Sequence, residues 1–186
     1  SPSLWEAGPA FDRFLGTNDG KVIEYGALLL DALVQAVQEE APDFLVVTGD
    51  LTTNGALASH REVAAAFELI EAAGVPVYAL PGNHDINNPW ASSFLESERR
   101  VARVGKDEYR ELYKAFGYEE ALSHGPDDLS YLVEPLPGLR LLILDTNLYE
   151  DNLELGQPRA AGAFSLAQRG WIESVLTKAK DDEKAI

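Results

Sequence analysis

Two short apolar runs in this chain each end in a glycine that precedes potential ligand side chains. The first run, residues 44–48, is followed by the Gly-Asp pair of residues 49–50. The second run, residues 75–80, is followed by Pro-Gly-Asn-His-Asp at residues 81–85. Apolar spacings of three and four over residues 59–74 predict a helix between them. A buried strand, a helix and a second buried strand indicate a right-handed crossover unit with parallel strands.

The rest of the chain continues the alternation of helices and strands. Further helices are predicted over residues 21–40, 107–116 and 165–176, with capping boxes at Ser59 to Glu62 and at Ser165 to Gln168. Strands are predicted over residues 129–134 and 139–144, paired through the turn 135–138, and another is expected to begin at 184–186. An irregular segment with a short helix is expected over residues 1–19. The pattern predicts an α/β fold built as one domain over residues 1–186.

Composition excludes several classes of protein. The chain has 15 Lys and Arg against 31 Asp and Glu, a formal net charge of −16, so long-range attraction to a nucleic acid polymer or an anionic membrane is not expected. It has no Cys, which excludes disulfides, thiolate catalysis and Cys-bound zinc. No apolar stretch approaches the length of a membrane span. These features leave the compartment open between the cytoplasm and an exported location, and the oligomeric state is not predicted.

Asp50, Asn83 and His84 are the candidate site residues. Ligands of open α/β sheets collect outside the carboxyl ends of parallel strands, where these residues are expected to lie. The oxygens of Asp50 could bridge two divalent cations, and the amide oxygen of Asn83 is a neutral ligand for one of them. Two such ions about 3.5–4 Å apart generate hydroxide near neutral pH for attack on phosphorus. His84 is then free to protonate the leaving oxygen.

These residues resemble the second and third motifs of the calcineurin-like metallophosphoesterases. The resemblance implies a four-layer α/β/β/α sandwich and two divalent metal ions, with Mn, Fe and Zn all open. It implies that Asp50 bridges the two metals, that Asn83 binds the second one, and that His84 contacts the phosphate and assists the leaving group. The substrate-binding residues stay unassigned.

Longer phrases resemble one subgroup, the bacterial class III cyclic nucleotide phosphodiesterases. They are residues 49–55, 59–60, 83–91, 116–118 and 129–131. The resemblance implies a small phosphorylated substrate, a phosphodiester with a cyclic nucleotide as the first guess, rather than a nucleic acid polymer.

Other motifs of that family are absent from residues 1–186. An Asp-x-His pair, a later lone His and a final Gly-His-x-His are missing, and the chain contains no Met. We therefore expect that the domain is incomplete within these residues, that most metal ligands lie outside them, and that this segment alone is inactive.

Several alternatives stay open from the sequence. The whole could be a non-catalytic ligand- or partner-binding domain with a degenerate version of the fold. Asp50 could be a cap or turn residue, and residues 83–85 a plain turn. His60 is expected to be a helix residue, His124 a loop residue, and Asp145 a supporting residue. The cluster of Trp90, Phe94, Arg99, Arg100 and Arg103 could cover a nucleobase and a phosphate, or form a solvated surface.

Overall fold

The computed structural model describes residues 3–17 and 21–186. Its helices are α1 (Pro9–Leu15), α2 (Gly26–Glu40), α3 (Leu57–Ala72), α4 (Lys106–Leu112), α5 (Asn152–Leu155) and α6 (Leu166–Asp181). Its strands are β1 (Leu45–Val47), β2 (Val77–Ala79), β3 (Ser92–Ser93), β4 (Arg99–Arg100), β5 (Ser123–His124), β6 (Tyr131–Leu136) and β7 (Leu139–Ile143). Among these helices, none combines the length and apolar character needed to cross a membrane. The predictions for residues 1, 2 and 18–20 lie outside the described part.

The predicted crossover unit is confirmed. Strands β1 and β2 are parallel, with Val46 opposite Tyr78, and α3 connects them. The apolar face of α3 buries Val63, Phe67 and Ile70 in the core, as the spacing predicted. The two strands therefore deliver their carboxyl ends to the same edge of the sheet.

The start of α3 differs from the prediction. The helix begins at Leu57, two residues before the expected cap Ser59, and Ala56 is its N-cap. The Leu57 N–H donates to the carbonyl of Ala102 at 2.8 Å. A carbonyl from a distant loop thus satisfies a helix-terminal donor, which no local capping pattern could indicate.

The two strands differ in burial. All three residues of β2 are buried, whereas the three residues of β1 are only partly buried. Burial of β1 on both faces was predicted and is wrong. In the described part of the chain, β1 belongs to a sheet of two strands, so one of its edges is not covered by a neighbouring strand of that sheet.

A second sheet contains β5, β6 and β7 in antiparallel order. The predicted hairpin is confirmed, but β6 extends to Leu136, which pairs with Leu139, so the turn is shorter than the predicted 135–138. The hydroxyl of Tyr131 in β6 donates to the carbonyl of Ala79 in β2 at 3.0 Å, which ties this sheet to the first. Near the last residue of the chain, Ala185 forms a parallel bridge with Leu139, in agreement with an extended conformation there.

The remaining helices follow their predictions with shifted boundaries. A 3₁₀ turn at Ile23–Tyr25 precedes α2, so regular helix starts later than residue 21. Helix α4 ends at Leu112. A kinked π turn follows at Lys114–Tyr118, in which Gly117 has φ +101°. Ser165 caps α6 as predicted, because its side chain accepts from the N–H of Gln168. The Gln168 side chain does not complete the predicted capping box, since it donates to Ser130 and Asp145.

A buried histidine joins α3 to the loop that follows β2. His60 is inaccessible to solvent, and its Nε2 lies 3.0 Å from the carbonyl oxygen of Asp85. Its Nδ1 lies 2.9 Å from the Tyr113 hydroxyl. A carbonyl only accepts, so Nε2 carries the proton and Nδ1 accepts from Tyr113. Burial lowers the pKa of His60 from 6.5 to about 4, although the hydrogen bond to Asp85 opposes the change.

We expect His60 to make the folded state sensitive to acid. Because its pKa is lower in the folded than in the unfolded chain, its contribution is complete above pH 6.5 and is lost as the pH falls toward 4. The loss is on the order of 3 kcal/mol. Denaturant unfolding of the wild type and His60→Gln between pH 7 and pH 4 measures it. The wild-type advantage should shrink by that amount as the pH falls.

The comparison with the variant isolates His60 from its neighbour Asp85, whose titration has the opposite sign. Burial raises the pKa of Asp85 from 3.8 to about 6, so protonation of Asp85 stabilises the folded state as the pH falls through this window. Asp85 is present in both proteins, and His60 contacts its backbone carbonyl rather than its carboxylate, so the titration of Asp85 contributes to both curves. A difference between wild type and variant that stays constant from pH 7 to pH 4 would contradict the role of His60.

Candidate active site

The carboxyl ends of β1 and β2 touch at two glycines. A Cβ atom on Gly49 would lie 2.4 Å from the backbone N of Gly82, and Gly49 has φ +92°. A Cβ atom on Gly82 would lie 2.2 Å from the backbone N of Asp50. Real Cβ atoms do not approach backbone this closely, so both positions require glycine. The side chains that follow the two glycines therefore start from neighbouring points.

Asp50 adopts an unusual backbone conformation at this contact. Its φ of +51° is in the left-handed region, which L residues other than Asn and Asp seldom adopt. One carboxylate oxygen, Oδ1, accepts from the backbone N–H of His84 at 3.1 Å, and the residue is otherwise exposed. This strained conformation is typical of functional positions, and here it aims the carboxylate across the gap to the second strand.

Asp50 and Asn83 line the same cleft, of about 540 Å³. Its walls come from the ends of β1, β2 and β7, and it also contains Thr146 and Asn147. The structure thus brings together the two predicted metal ligands.

His84 lies beside this pair with its ring in a fixed orientation. Its Nδ1 lies 2.9 Å from the carbonyl oxygen of Thr53. Because the carbonyl can only accept, Nδ1 carries a proton, and Nε2 is the nitrogen that can exchange a proton with another molecule. His84 is half-buried, so the imidazole is held by the fold and still accessible.

Asp85 braces the two loops, a role that the sequence did not assign to it. Its carboxylate accepts from the backbone N–H groups of Leu51 at 3.0 Å, Thr52 at 2.9 Å and Gly82 at 2.8 Å, and from the Thr52 hydroxyl at 2.9 Å. The side chain is inaccessible to solvent. Burial raises its pKa, and these hydrogen bonds oppose that change. Asp85 therefore holds the Asp50 loop and the Asn83 loop in one arrangement.

Asp145 supports the cleft from the end of β7, as expected. It is buried, and its carboxylate accepts from the Asn147 side chain at 2.8 Å and from the Tyr149 hydroxyl at 3.0 Å. Asn147 also donates to the carbonyl of Pro81 at 2.8 Å. Gln168 of α6 donates to the carbonyl of Asp145 at 2.6 Å. Sequence analysis assigned Gln168 only a capping role, because its contact with Asp145, 23 positions away, leaves no local sequence signal.

The aromatic and basic cluster predicted around Trp90 is divided in the structure. Phe94 is buried and stacks on Phe14, with ring centroids 4.1 Å apart. Arg99 and Arg100 lie exposed in the β3–β4 hairpin. They pair at 3.8 Å with two acidic neighbours, Glu96 and Glu98. Only the Trp90 ring lies near His84, at a centroid distance of 6.1 Å.

The two other histidines do not join the predicted site residues. His60 contacts the loops of the site through the backbone carbonyl of Asp85 at 3.0 Å and the hydroxyl of Thr52 at 3.5 Å. His124 is exposed on β5, where it pairs with Tyr131. In the described ranges 3–17 and 21–186, no three His, Cys, Asp or Glu side chains cluster closely enough to hold a metal ion. Asp50 and Asn83 offer oxygen ligands of the right kind for a divalent cation, but only as part of a ligand set.

One curated relative is a probable glycerophosphodiester phosphodiesterase, GpdQ, from Arcobacter nitrofigilis. It is 24% identical to this chain over 140 residues, which is 75% of this chain. The match spans 38% of the length of that relative.

The Calcineurin-like phosphoesterase family matches residues 26–168. This range runs from the start of α2 into α6 and contains both glycine contacts, Asp50, Asn83 and His84. The match confirms the predicted α/β fold of metallophosphoesterase type. The chain belongs to the calcineurin-like phosphoesterase family.

Proposed function

We propose that the protein hydrolyses a phosphodiester with the help of divalent metal ions, using Asp50 and Asn83 as metal ligands and His84 as the proton donor. One observation carries the proposal. The carboxylate of Asp50 lies 3.1 Å from the backbone N of His84, where the ends of two parallel strands touch. A carboxylate, an amide and an imidazole therefore emerge together at the edge of the sheet where α/β proteins bind their ligands.

The family generally uses divalent metals, and we propose two of them, with Mn, Fe and Zn all compatible with oxygen and imidazole ligands. Bound there, such a pair supplies Lewis-acid polarisation of the phosphoryl group and acidifies water. Asp50 would supply carboxylate oxygens to these ions, and Asn83 would add an amide oxygen without adding charge. The remaining ligands would come from groups beyond those that line this cleft.

Charge supports the need for bound cations. The formal net charge of the chain is −16, and the cleft itself contains the exposed carboxylate of Asp50. An anionic phosphodiester is repelled by such a surface unless local positive charge offsets it. Divalent ions are often the largest charges in such sites, and they would reverse the local potential.

We propose that His84 acts on the leaving group. During hydrolysis the oxygen of water bonds to phosphorus, and the P–O bond to the leaving group breaks. The leaving oxygen takes a proton from His84 Nε2, and the proton released from water passes to solvent, from which His84 is protonated again. The hydrogen bond between Nδ1 and Thr53 keeps the ring in place through both protonation states.

The substrate is proposed to be small. The resemblance to class III enzymes favours a cyclic nucleotide, whereas the curated relative bears the name of a glycerophosphodiester phosphodiesterase. Cyclic nucleotides and glycerophosphodiesters are both phosphodiesters of small alcohols.

A second candidate function is a non-catalytic ligand-binding domain. It is favoured by the lack of a cluster of three metal-ligating side chains in residues 3–17 and 21–186. The same strand-end loops would then hold a ligand without hydrolysing it. Metal-dependent turnover by the protein expressed from its whole reading frame distinguishes the two functions.

Replacement of His84 should slow hydrolysis most for poor leaving groups. With Mn²⁺ present, we expect His84→Asn to reduce kcat for an alkyl phosphodiester by about 10²-fold or more, as for loss of a general acid. The loss should be smaller for bis-p-nitrophenyl phosphate, because nitrophenolate leaves without a proton. Steady-state kinetics on both substrates measure the difference. His124→Asn is the matched control, and equal losses on both substrates would contradict the role of His84 as an acid.

Replacement of Asp50 should lower metal content without disturbing the backbone. Asn tolerates the left-handed conformation of this position, so Asp50→Asn changes the charge and keeps the turn. We expect bound Mn²⁺, measured by elemental analysis after dialysis, to fall by about half or more, because a bridging carboxylate contacts both ions. Asp43→Asn, before the opposite end of β1, is the control. Unchanged metal content in Asp50→Asn would contradict the assignment.

A further inference from the structure

Trp90 is a large exposed side chain whose backbone is tied to that of His84. The N–H of Trp90 donates to Asn88 Oδ1 at 2.9 Å. The other end of the same amide, Asn88 Nδ2, donates to the carbonyl of His84 at 2.8 Å. Asn88 is inaccessible to solvent. One buried amide therefore fixes the position of Trp90 relative to His84.

The indole ring is fixed as well. Its Nε1–H donates to the carbonyl of Gly156 at 3.1 Å, in the turn that follows α5. The polar edge of the ring is thus satisfied by the protein, and what stays exposed is largely apolar. Trp90 is 43% exposed, while most aromatic side chains of the chain are packed in the core. An immobilised, exposed indole costs little ordering entropy when it binds a flat partner.

The indole lies next to the proposed proton donor. The ring centroids of His84 and Trp90 are 6.1 Å apart, and the two planes are inclined by 58°. Because His84 Nδ1 is bound to the carbonyl of Thr53, Nε2 is the ring nitrogen available to a bound molecule. A leaving group whose oxygen meets Nε2 at hydrogen-bond distance would have its next atoms within reach of the indole.

We propose that Trp90 determines which leaving groups the site prefers, by packing its indole against a flat ring carried by the alcohol. The flat ring can be a nucleobase or an aryl group, because every such ring presents a π face to an indole. A flexible aliphatic alcohol makes less contact there. This inference rests on the proposed role of His84 and adds a source of specificity to it.

Comparison with Phe94 indicates that Trp90 is not simply a core packing residue. Phe94 was the other aromatic candidate, and it is buried in a stack with Phe14. Its contacts are all within the fold, as expected for a structural residue. Trp90 is held through the hydrogen bonds at its backbone and ring edge, which fix the side chain and leave much of it uncovered.

The test compares three phosphodiesters in the protein expressed from its whole reading frame with Mn²⁺. They are 3′,5′-cyclic AMP, bis-p-nitrophenyl phosphate and glycerophosphoethanolamine, which carry a nucleobase, an aryl ring and no ring. For Trp90→Leu, we expect the ratio of kcat/KM on a ring-bearing substrate to kcat/KM on the aliphatic one to fall about tenfold or more relative to wild type. Intrinsic reactivity cancels in this comparison, because both proteins face the same substrates.

Two further variants complete the test. Trp90→Phe keeps a flat ring and should recover most of the wild-type ratio. Phe164→Leu removes an aromatic of similar exposure, 40%, from a separate cavity, and should leave the ratio unchanged. A fall on the nucleobase substrate alone identifies a nucleoside site, and a fall on both identifies a general aryl site. An equal fall on all three substrates, or no fall, overturns the proposal.

The failure of the proposed function would be recognised separately. If the wild type hydrolyses none of the three substrates, the catalytic role of His84 is contradicted, and Trp90 is judged by binding. Equilibrium dialysis of adenosine 5′-monophosphate and of glycerol 3-phosphate then decides. At least about fivefold weaker binding of the first ligand alone in Trp90→Leu supports the proposal, and equal affinities in both proteins overturn it.

Discussion

The buried carboxylate of Asp85 is the interaction on which the rest of the site depends. It accepts four hydrogen bonds from two loops that are distant in sequence, at Leu51, Thr52 and Gly82. These bonds hold the two glycine turns against each other at a distance that no Cβ would allow. The left-handed backbone of Asp50 lies at this contact. His60 further stabilises this arrangement through its hydrogen bond to the backbone carbonyl of Asp85.

Local patterns predicted the main elements of the fold and the strand-end positions of the candidate residues. The strand–helix–strand unit followed from apolar runs and helical spacing, and the glycines before Asp50 and Asn83 indicated the close turn. The cap at Ser165 was also local and was confirmed. What the sequence could not indicate were contacts between distant segments. The carbonyl of Ala102 that moves the start of α3 and the division of the Trp90 cluster are both of this kind.

The roles of polar residues were harder to predict than their positions. Asp85 and Asp50 are the same residue type, and both follow a strand. One is buried under four hydrogen bonds, and the other is exposed with one carboxylate oxygen bound to a backbone N–H. Burial distinguishes the structural role of Asp85 from the candidate ligand role of Asp50. The burial of a side chain depends on neighbours that are supplied by the whole fold. The roles of Asp50, Asn83 and His84 stay predictions until metal content and turnover are measured.

The bonds that close the cleft also bear on the order of synthesis and folding. Asn147 binds the carbonyl of Pro81 across 66 positions, and Gln168 of α6 binds the carbonyl of Asp145. When only the crossover unit has been synthesised, the chain contains Asp50, Asn83 and His84 but not yet Asn147 and Gln168, which support the cleft around them. Domains that depend on such non-local contacts acquire their final geometry late, because loop closure must precede the contacts that reward it. The nascent chain therefore exposes its acidic strand ends before the cleft around them exists.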